Sequence, residues 1–234
     1  MLGVFKELRV TDHHHIDVIY LDNHLLVLRK PAGMLVQGDS TGDPSLLEWG
    51  RQFLKVQFDK PGNVFLALVH RLDRPTSGVV VFGRTSKAAA RLSEQFRQRQ
   101  IRKIYWALVE GKTPEEGHLR DRVARYGVRS QVVQGNRGKI AELHYRRLRY
   151  AAGISWVEIE MATGRHHQIR VQFQHAGYPL VGDLRYGATR RLSTPKALAL
   201  HARSITLTHP TRQEQMTFHA DPDAHWFSLF RELP

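Results

Sequence analysis

Short apolar runs and helical periodicities take turns along this chain. Leu25–Leu28 is continuously apolar and reads as a buried strand, closed by the turn Lys30-Pro31-Ala32-Gly33. Asp43-Pro44 opens a helix in which Leu46 and Phe53, like Leu47 and Leu54, recur at seven residues and share one face. Gly78–Phe82 is a second short buried strand. Ser86 caps the next helix, with Ala89, Leu92 and Phe96 on its core side at spacings of three and four. Ile104–Val109 then reads as a strand; Lys103 and Tyr105 fall on one face and Trp106 on the other.

The pattern changes over residues 112–140, where Arg120, Arg122, Arg125, Arg129, Arg137 and Lys139 stand among glycines. This composition predicts hairpins or loops, not a helix. Leu143–Tyr150 and Ile154–Met161 return to strand. In the second, Ile154, Trp156, Glu158 and Glu160 alternate with Ser155, Val157, Ile159 and Met161, so neither set is purely apolar. A compact helix follows Gly164, with Ile169, Phe173 and Ala176 on one face, Gly177 to end it and Pro179 just beyond. Strands are expected near Ala197–Leu200, Ser204–Thr208 and Gln215–His219, and Asp221-Pro222 starts a final helix bearing Trp226 and Phe230.

Strands and helices are interspersed without strict βαβ alternation. That predicts an α+β fold: a mixed, largely antiparallel central sheet flanked by helices. No linker interrupts the pattern, so one domain is expected over residues 16–234, behind an N-terminal extension of residues 1–15.

Charge adds a partner to this picture. Lysine and arginine total 35 against 22 acidic residues in 234, a formal charge of +13, and the isoelectric point is near 10.4. A balance this basic favours a polyanion, nucleic acid first. The chain has no cysteine, which excludes disulfides, a thiolate nucleophile and sulfur-bound zinc, and fits a cytoplasmic location. No apolar run approaches the ~18 residues of a membrane helix, and the first dozen residues lack an apolar signal core.

Against this basic background one acid stands out. His70-Arg71-Leu72-Asp73-Arg74-Pro75-Thr76-Ser77-Gly78 puts Asp73 between two guanidinium groups, on a short loop ahead of a buried strand. Basic neighbours favour the ionised form, which can serve as nucleophile or general base. The alternative is a structural salt bridge or a turn cap. Gly164-Arg165-His166-His167-Gln168-Ile169-Arg170 is a second cluster; from the early turns of its helix Arg170 can reach a carboxylate in a cleft. Adjacent His166 and His167 do not share a helical face, so they predict no metal site, and His13–His15 read as a surface patch. Tyr105, beside Lys103, is either core or a platform on which a base stacks. Asp183, in a turn-rich loop, reads as an Asx turn rather than a catalytic acid.

Together these blocks carry a resemblance. The chain resembles the RluA-type pseudouridine synthases from about Ile16 to Asp221. The hallmark is His70-Arg71-Leu72-Asp73 with Thr76-Ser77-Gly78. It is supported by Lys30-Pro31-Ala32-Gly33, Arg102-Lys103-Ile104-Tyr105-Trp106-Ala107, Gly138-Lys139-Ile140-Ala141, Gly164-Arg165 with His167-Gln168-Ile169-Arg170, Gly177 through Gly187, and His201-Ala202 with His209-Pro210. Leu143 and Gln172 depart from the pattern, standing where many relatives have Thr and His. Many relatives also carry an S4-like domain ahead of the matching region, where this sequence has about 15 residues.

The resemblance implies a pseudouridine synthase fold with an RNA-binding cleft, and conversion of uridine to pseudouridine in structured rRNA or tRNA. It implies no cofactor and no metal, and a monomer is expected. Asp73 would be the catalytic carboxylate, Arg170 its ion-pair partner, and Tyr105 the ring stacked on the target uracil. Arg71 would fill the space of the flipped base or contact the backbone, leaving Arg74 solvated. Lys103, Arg165 and His167, with the basic residues of 112–140, would bind RNA. The physical demands agree: the base must leave its stack, at a few kcal/mol, and basic loops supply salt-sensitive affinity. Two other readings stay open: a non-catalytic RNA-binding module or chaperone, and a nucleoside or glycoside hydrolase. The second would need two catalytic carboxylates, and the sequence offers one.

Overall fold

A computed structural model of the chain describes residues 16–192, 197–223 and Trp226. The N-terminal extension, the His13–His15 patch and most of the expected final helix lie outside the described residues.

The described strands form one sheet. They are β1 (Val18–Leu21), β2 (Leu25–Lys30), β3 (Ala67–Leu68), β4 (Ser77–Gly83), β5 (Arg102–Glu110), β6 (Glu116–Tyr126), β7 (Arg129–Val133), β8 (Lys139–Ala151), β9 (Ile154–Met161), β10 (Leu200–Thr208) and β11 (Gln215–His219). Their order is β1-β2-β4-β10-β5-β9-β8-β6-β7, with β11 beside β10 and β3 beside β4. Among the described strands only β4 and β10 run parallel. The sheet is therefore mixed and largely antiparallel, as the interspersed pattern predicts. Of the two late strands expected, 204–208 lies within β10, while of 197–200 only Leu200 belongs to it; the pairing of β10 with β5 shifts register between Ala202 and Ser204.

Among the described residues three α-helices cover the sheet: α1 (Leu46–Gln57), α2 (Ser86–Arg97) and α3 (Gln168–His175). The first two start one or more residues away from the expected caps. Ser45, not Asp43, caps α1, through a reciprocal capping box with Glu48. Thr85, not Ser86, caps α2 by accepting from the Ala88 N–H at 3.1 Å.

Strand alternation sorts side chains into cores on both faces. Leu26, Leu28, Val80 and Phe82 pack with Trp49 and Phe53 of α1, while Leu25, Val27, Val79 and Val81 pack with Leu92 of α2. Farther along, Ala107, Val157 and Ile159 pack with Ile169 and Phe173 of α3; Trp106, Leu108 and Trp156 pack with Trp226 on the reverse. This explains the ambiguous β9 sequence, whose apolar residues feed two cores at once. Leu143 is wholly buried in the core under α3, and Gln172 donates to Asp121 and to the Ala141 carbonyl, so both departures from the relatives' pattern are packing positions. No described helix is long and apolar enough to cross a membrane.

The parallel β4–β10 contact is the seam between the two halves. Gly78 lies opposite Ala202, and Ala202 opposite Tyr105. Gly78 has φ +117°, and a Cβ there would overlap the Ala202 backbone, so only glycine permits this approach. Beside it, buried His201 is fixed as a neutral ring: Nε2 donates to the Ala220 carbonyl at 3.0 Å, and Nδ1 sits 2.8 Å from Ser77 Oγ. Burial pushes this histidine down to about 4.

A histidine that protonates less readily folded than unfolded stabilises the fold above its unfolded value near 6.5. That contribution is lost as pH falls toward 4, by about 3 kcal/mol when complete. Urea midpoints measured from pH 7 to pH 4 should fall for the wild type and fall less steeply for His201→Gln.

Candidate active site

The loop between β3 and β4 carries Asp73 and is tied at several points. The Thr76 N–H bonds to the Asp73 carbonyl at 3.0 Å, making a tight turn over Arg74-Pro75. Lys30, fully buried, donates to the carbonyls of Pro31, Met34 and Arg74 at 2.9, 2.8 and 3.0 Å. Burial holds Lys30 down to about 7, against the charge of Asp73 and together with that of Arg74. Three carbonyl acceptors match the three N–H groups of an ammonium, so this pocket is shaped for the charged form. Arg74 is not solvated as expected: it bonds to the Gly33 carbonyl and to Asp43, buttressing the same loop. His70 is also structural. Its Nε2 accepts from the Val81 N–H at 3.0 Å and its ring stacks on Phe96; burial, then the nearby Lys103 charge, push it down to about 3.

Asp73 stands where two cavities meet. One, about 440 Å³, is lined by His70, Phe96, Lys103, Tyr105, Met161 and Ile169, among others. The other, about 750 Å³, opens beyond Arg71, Arg125, Arg185 and Arg191. Tyr105 packs against both cores at the seam, and burial, then the Asp73 charge, raise its phenol well above the usual range. It therefore remains a neutral ring at the cavity wall. Burial lowers Lys103.

Arg170 lies behind Asp73. Residues 168–173 are all buried, so the helix has no solvent face in its first turns, and Arg170 is enclosed with its side chain 6% exposed. Its Nε and Nη2 donate to the two oxygens of Asp183 at 2.6 and 2.8 Å, and Nη1 stands 3.5 Å from Asp73 Oδ2. Its ring-side face lies over Tyr186. Burial pulls its pKa down, but the Asp183 bonds, then the charges of Asp183 and Asp73, raise it overall.

Asp183 is the residue that sequence reasoning missed. It makes no Asx turn; it precedes the short 3₁₀ turn Leu184–Tyr186 and spends its carboxylate on Arg170. The available signal was its position, an acid beside Arg185, Arg190 and Arg191 in a basic stretch.

The expected RNA-contacting residues divide by strand face. Arg71, Arg125 and His167 line both cavities, and Lys103 and Arg165 line the smaller one. Val123 and Asp121 face α3, the first packing on Val171 and the second bonded to Gln172. Strand alternation therefore sends Arg120 and Arg122 to the other face. There Arg120 is 3.8 Å from Glu142 and Arg122 donates to the Gly138 carbonyl. Arg129, Arg137 and Lys139 are exposed on the hairpins and do not line either cavity. On that reverse face His118, Glu142 and His144 bring ligand-type atoms within 4.8 Å of one another. The two imidazoles are stacked within 7° of parallel, so their ring planes do not converge on a shared ion.

A basic cleft, an isolated carboxylate and a ring-lined cavity beside it describe an enzyme that works on a nucleobase in a polyanion. Comparison with known proteins names the class. Residues 24–175 match the RNA pseudouridylate synthase family, and the chain belongs to it. "tRNA pseudouridine synthase C" of Haemophilus ducreyi is 35% identical over 93% of this chain and 96% of its own length. "Ribosomal large subunit pseudouridine synthase C" of Vibrio cholerae is also 35% identical, over 89% of this chain, which spans 66% of that relative. The solved structure of "Human RNA Pseudouridylate Synthase Domain Containing 4" shares the fold with a TM-score of 0.77 over 93% of this chain and 94% of its own, at 24% identity.

Removing one member of a buried ion pair strands the other, at about 3–5 kcal/mol. Asp183→Ala should lower urea stability by that order. The double variant Arg170→Met/Asp183→Leu should regain most of it while remaining inactive.

Proposed function

We propose that this chain isomerises a uridine in structured ribosomal or transfer RNA, with Asp73 as the catalytic carboxylate and residues 16–234 acting as one catalytic domain. One observation carries the reading. Both side-chain contacts of Asp73, from the Arg170 guanidinium and the His167 ring, fall on Oδ2, which leaves Oδ1 without a protein partner among the described residues. The carboxylate is anchored by one oxygen and offers the other at the junction of the cavities.

The chemistry is internally balanced. The N1–C1′ bond breaks, uracil turns, and a C5–C1′ bond forms; the C5 proton leaves to solvent and N1 regains a proton. A carboxylate supports this by adding to C1′ or to the base, and Oδ1 is free for either. Tyr105 stacks on the extruded uracil, a contact worth about 1–3 kcal/mol. The smaller cavity holds the base during its turn, while exposed Arg71 occupies the emptied stack or the backbone. Arg170 keeps a positive charge against Asp73 that cannot be lost by deprotonation.

Arg125 lies on the active face and lines both cavities, which supports a phosphate contact beside the reacting base. The relatives' printed names concern both ribosomal and transfer RNA, and the geometry fits a looped strand in either, where a base is cheapest to extrude.

Tritium at uracil C5 is released to solvent when pseudouridine forms. rRNA and tRNA prepared with that label from cells lacking the enzyme should release it with wild-type protein, and not above background with Asp73→Asn. Persistent release by that variant would remove Asp73 from the chemistry. For binding, Arg125→Ala should weaken affinity and reduce the slope of log K against log salt by about 0.7–1; Arg120→Ala, on the reverse face, should change the slope less.

A further inference from the structure

The residue touching Asp73 from the other side is His167, and its surroundings fix how it can act. It is buried, has φ +53°, and sits immediately before α3 without capping it. A non-glycine residue in the left-handed region is uncommon and is held only where its surroundings require it. Here the conformation turns the side chain toward Asp73, with Nε2 3.4 Å from Oδ2.

Donor counting settles the tautomer. The Ser130 N–H donates to the Tyr186 hydroxyl at 2.8 Å, so that oxygen is already an acceptor. The Tyr186 proton then has one partner among the described residues, His167 Nδ1 at 2.9 Å. With Nδ1 accepting, the ring's single proton is on Nε2, facing the carboxylate. The opposite tautomer would leave the Tyr186 proton unpaired and turn a lone pair on Nε2 toward an anion. Burial, then the charges of Arg170, His166, Arg185 and Arg125, hold this histidine far below its usual range and therefore neutral. Ser130 secures the turn a second time: its hydroxyl donates to the His166 carbonyl and accepts from His166 Nδ1.

We propose that His167 is a positioning residue for the reaction: a neutral N–H donor, set in its tautomer by Tyr186, that with Arg170 fixes Asp73 through Oδ2 and aims Oδ1 at the substrate. This rests on the reading of Asp73 as the catalytic carboxylate. It gives His167 a role behind the acid in place of the RNA contact expected from the sequence. The 3.4 Å separation is long for a hydrogen bond, as such contacts often are before substrate closes a site. Two donors on one oxygen restrain both the position and the rotation of the carboxylate, where one guanidinium contact would leave it free to swing.

The test uses the full chain and the labelled rRNA and tRNA described above. His167→Asn keeps a side chain that tolerates positive φ but is too short to reach Asp73; His167→Gln places an amide N–H near the position of Nε2. At comparable thermal stability, Asn should lower kcat by about 10–100-fold with KM for RNA little changed, and Gln should recover most of that loss. Tyr186→Phe, which frees the tautomer, should lower kcat in the same direction with KM unchanged. Wild-type kcat in His167→Asn overturns the proposal, as does equal impairment of Asn and Gln, which would mark a purely structural side chain, or a raised KM at unchanged kcat, which would return His167 to RNA binding. Wild-type kcat in Tyr186→Phe overturns the tautomer lock. Release that survives Asp73→Asn defeats the parent reading, and the proposal with it, and only that variant reports it.

Discussion

Arg170 is a permanent charge in a nearly closed interior, and the rest of the site depends on neutralising it. A guanidinium cannot escape burial by losing its proton, as a lysine can. The cost of desolvating it is several kcal/mol unless a carboxylate meets it with good geometry. Asp183 does so through two short bonds. That pairing uses Nε and Nη2 and leaves Nη1 toward Asp73. The strong pair is thus structural, and the weak contact is the one that reaches the carboxylate proposed for the chemistry. An acid bonded as tightly as Asp183 would be a poor nucleophile; Asp73, half-buried and held by long contacts on one oxygen, keeps an oxygen free.

Three chain segments must meet for this to happen, and the seam of the sheet is where they do. The parallel pairing of β4 with β10 delivers the Asp73 loop to the same end of the sheet as Tyr105 on β5. Gly78 and Ala202 are small enough for the strands to approach there. The loop itself is braced from behind by Lys30 and Arg74. The β6–β7 hairpin docks onto α3 and Tyr186 through Val123 and Val132, which sets Arg125 over the cleft. Tyr186 consequently makes three contacts: it packs the hairpin, covers the face of Arg170 and bonds to His167.

Much of the fold was legible because period carries it. The buried strands around Leu25 and Gly78 follow from apolar spacing, and the hairpins of 112–140 from their composition; in α3 the spacing finds Ile169 and Phe173, but Ala176, expected beside them, is the exposed C-cap. The helix starts were misplaced because Asp43, Ser45, Thr85 and Ser86 are all competent caps, and only the packing angle of the helix selects among them. In sequence the basic residues of 112–140 form a single cluster, although alternation about buried Val123 separates Arg120 and Arg122 from Arg125. That separation follows from a strand register that could be drawn once Val123 was known to be buried.

What the sequence determined by itself was the chemistry available: an isolated acid on a short loop, an aromatic on a strand beside a lysine, an arginine at the head of a helix, and a basic surface. Those are matters of residue type and local spacing, which short-range geometry converts into position. Only the tertiary structure decided the partners. Asp183 was an ordinary turn residue until a buried guanidinium lay against it, and His167 was one of two adjacent histidines until Tyr186 took its Nδ1. Ion pairs and tautomers depend on burial and on atoms within about 3 Å, and residue type and local spacing carry no information on either the Arg170–Asp183 pair or the His167–Tyr186 bond.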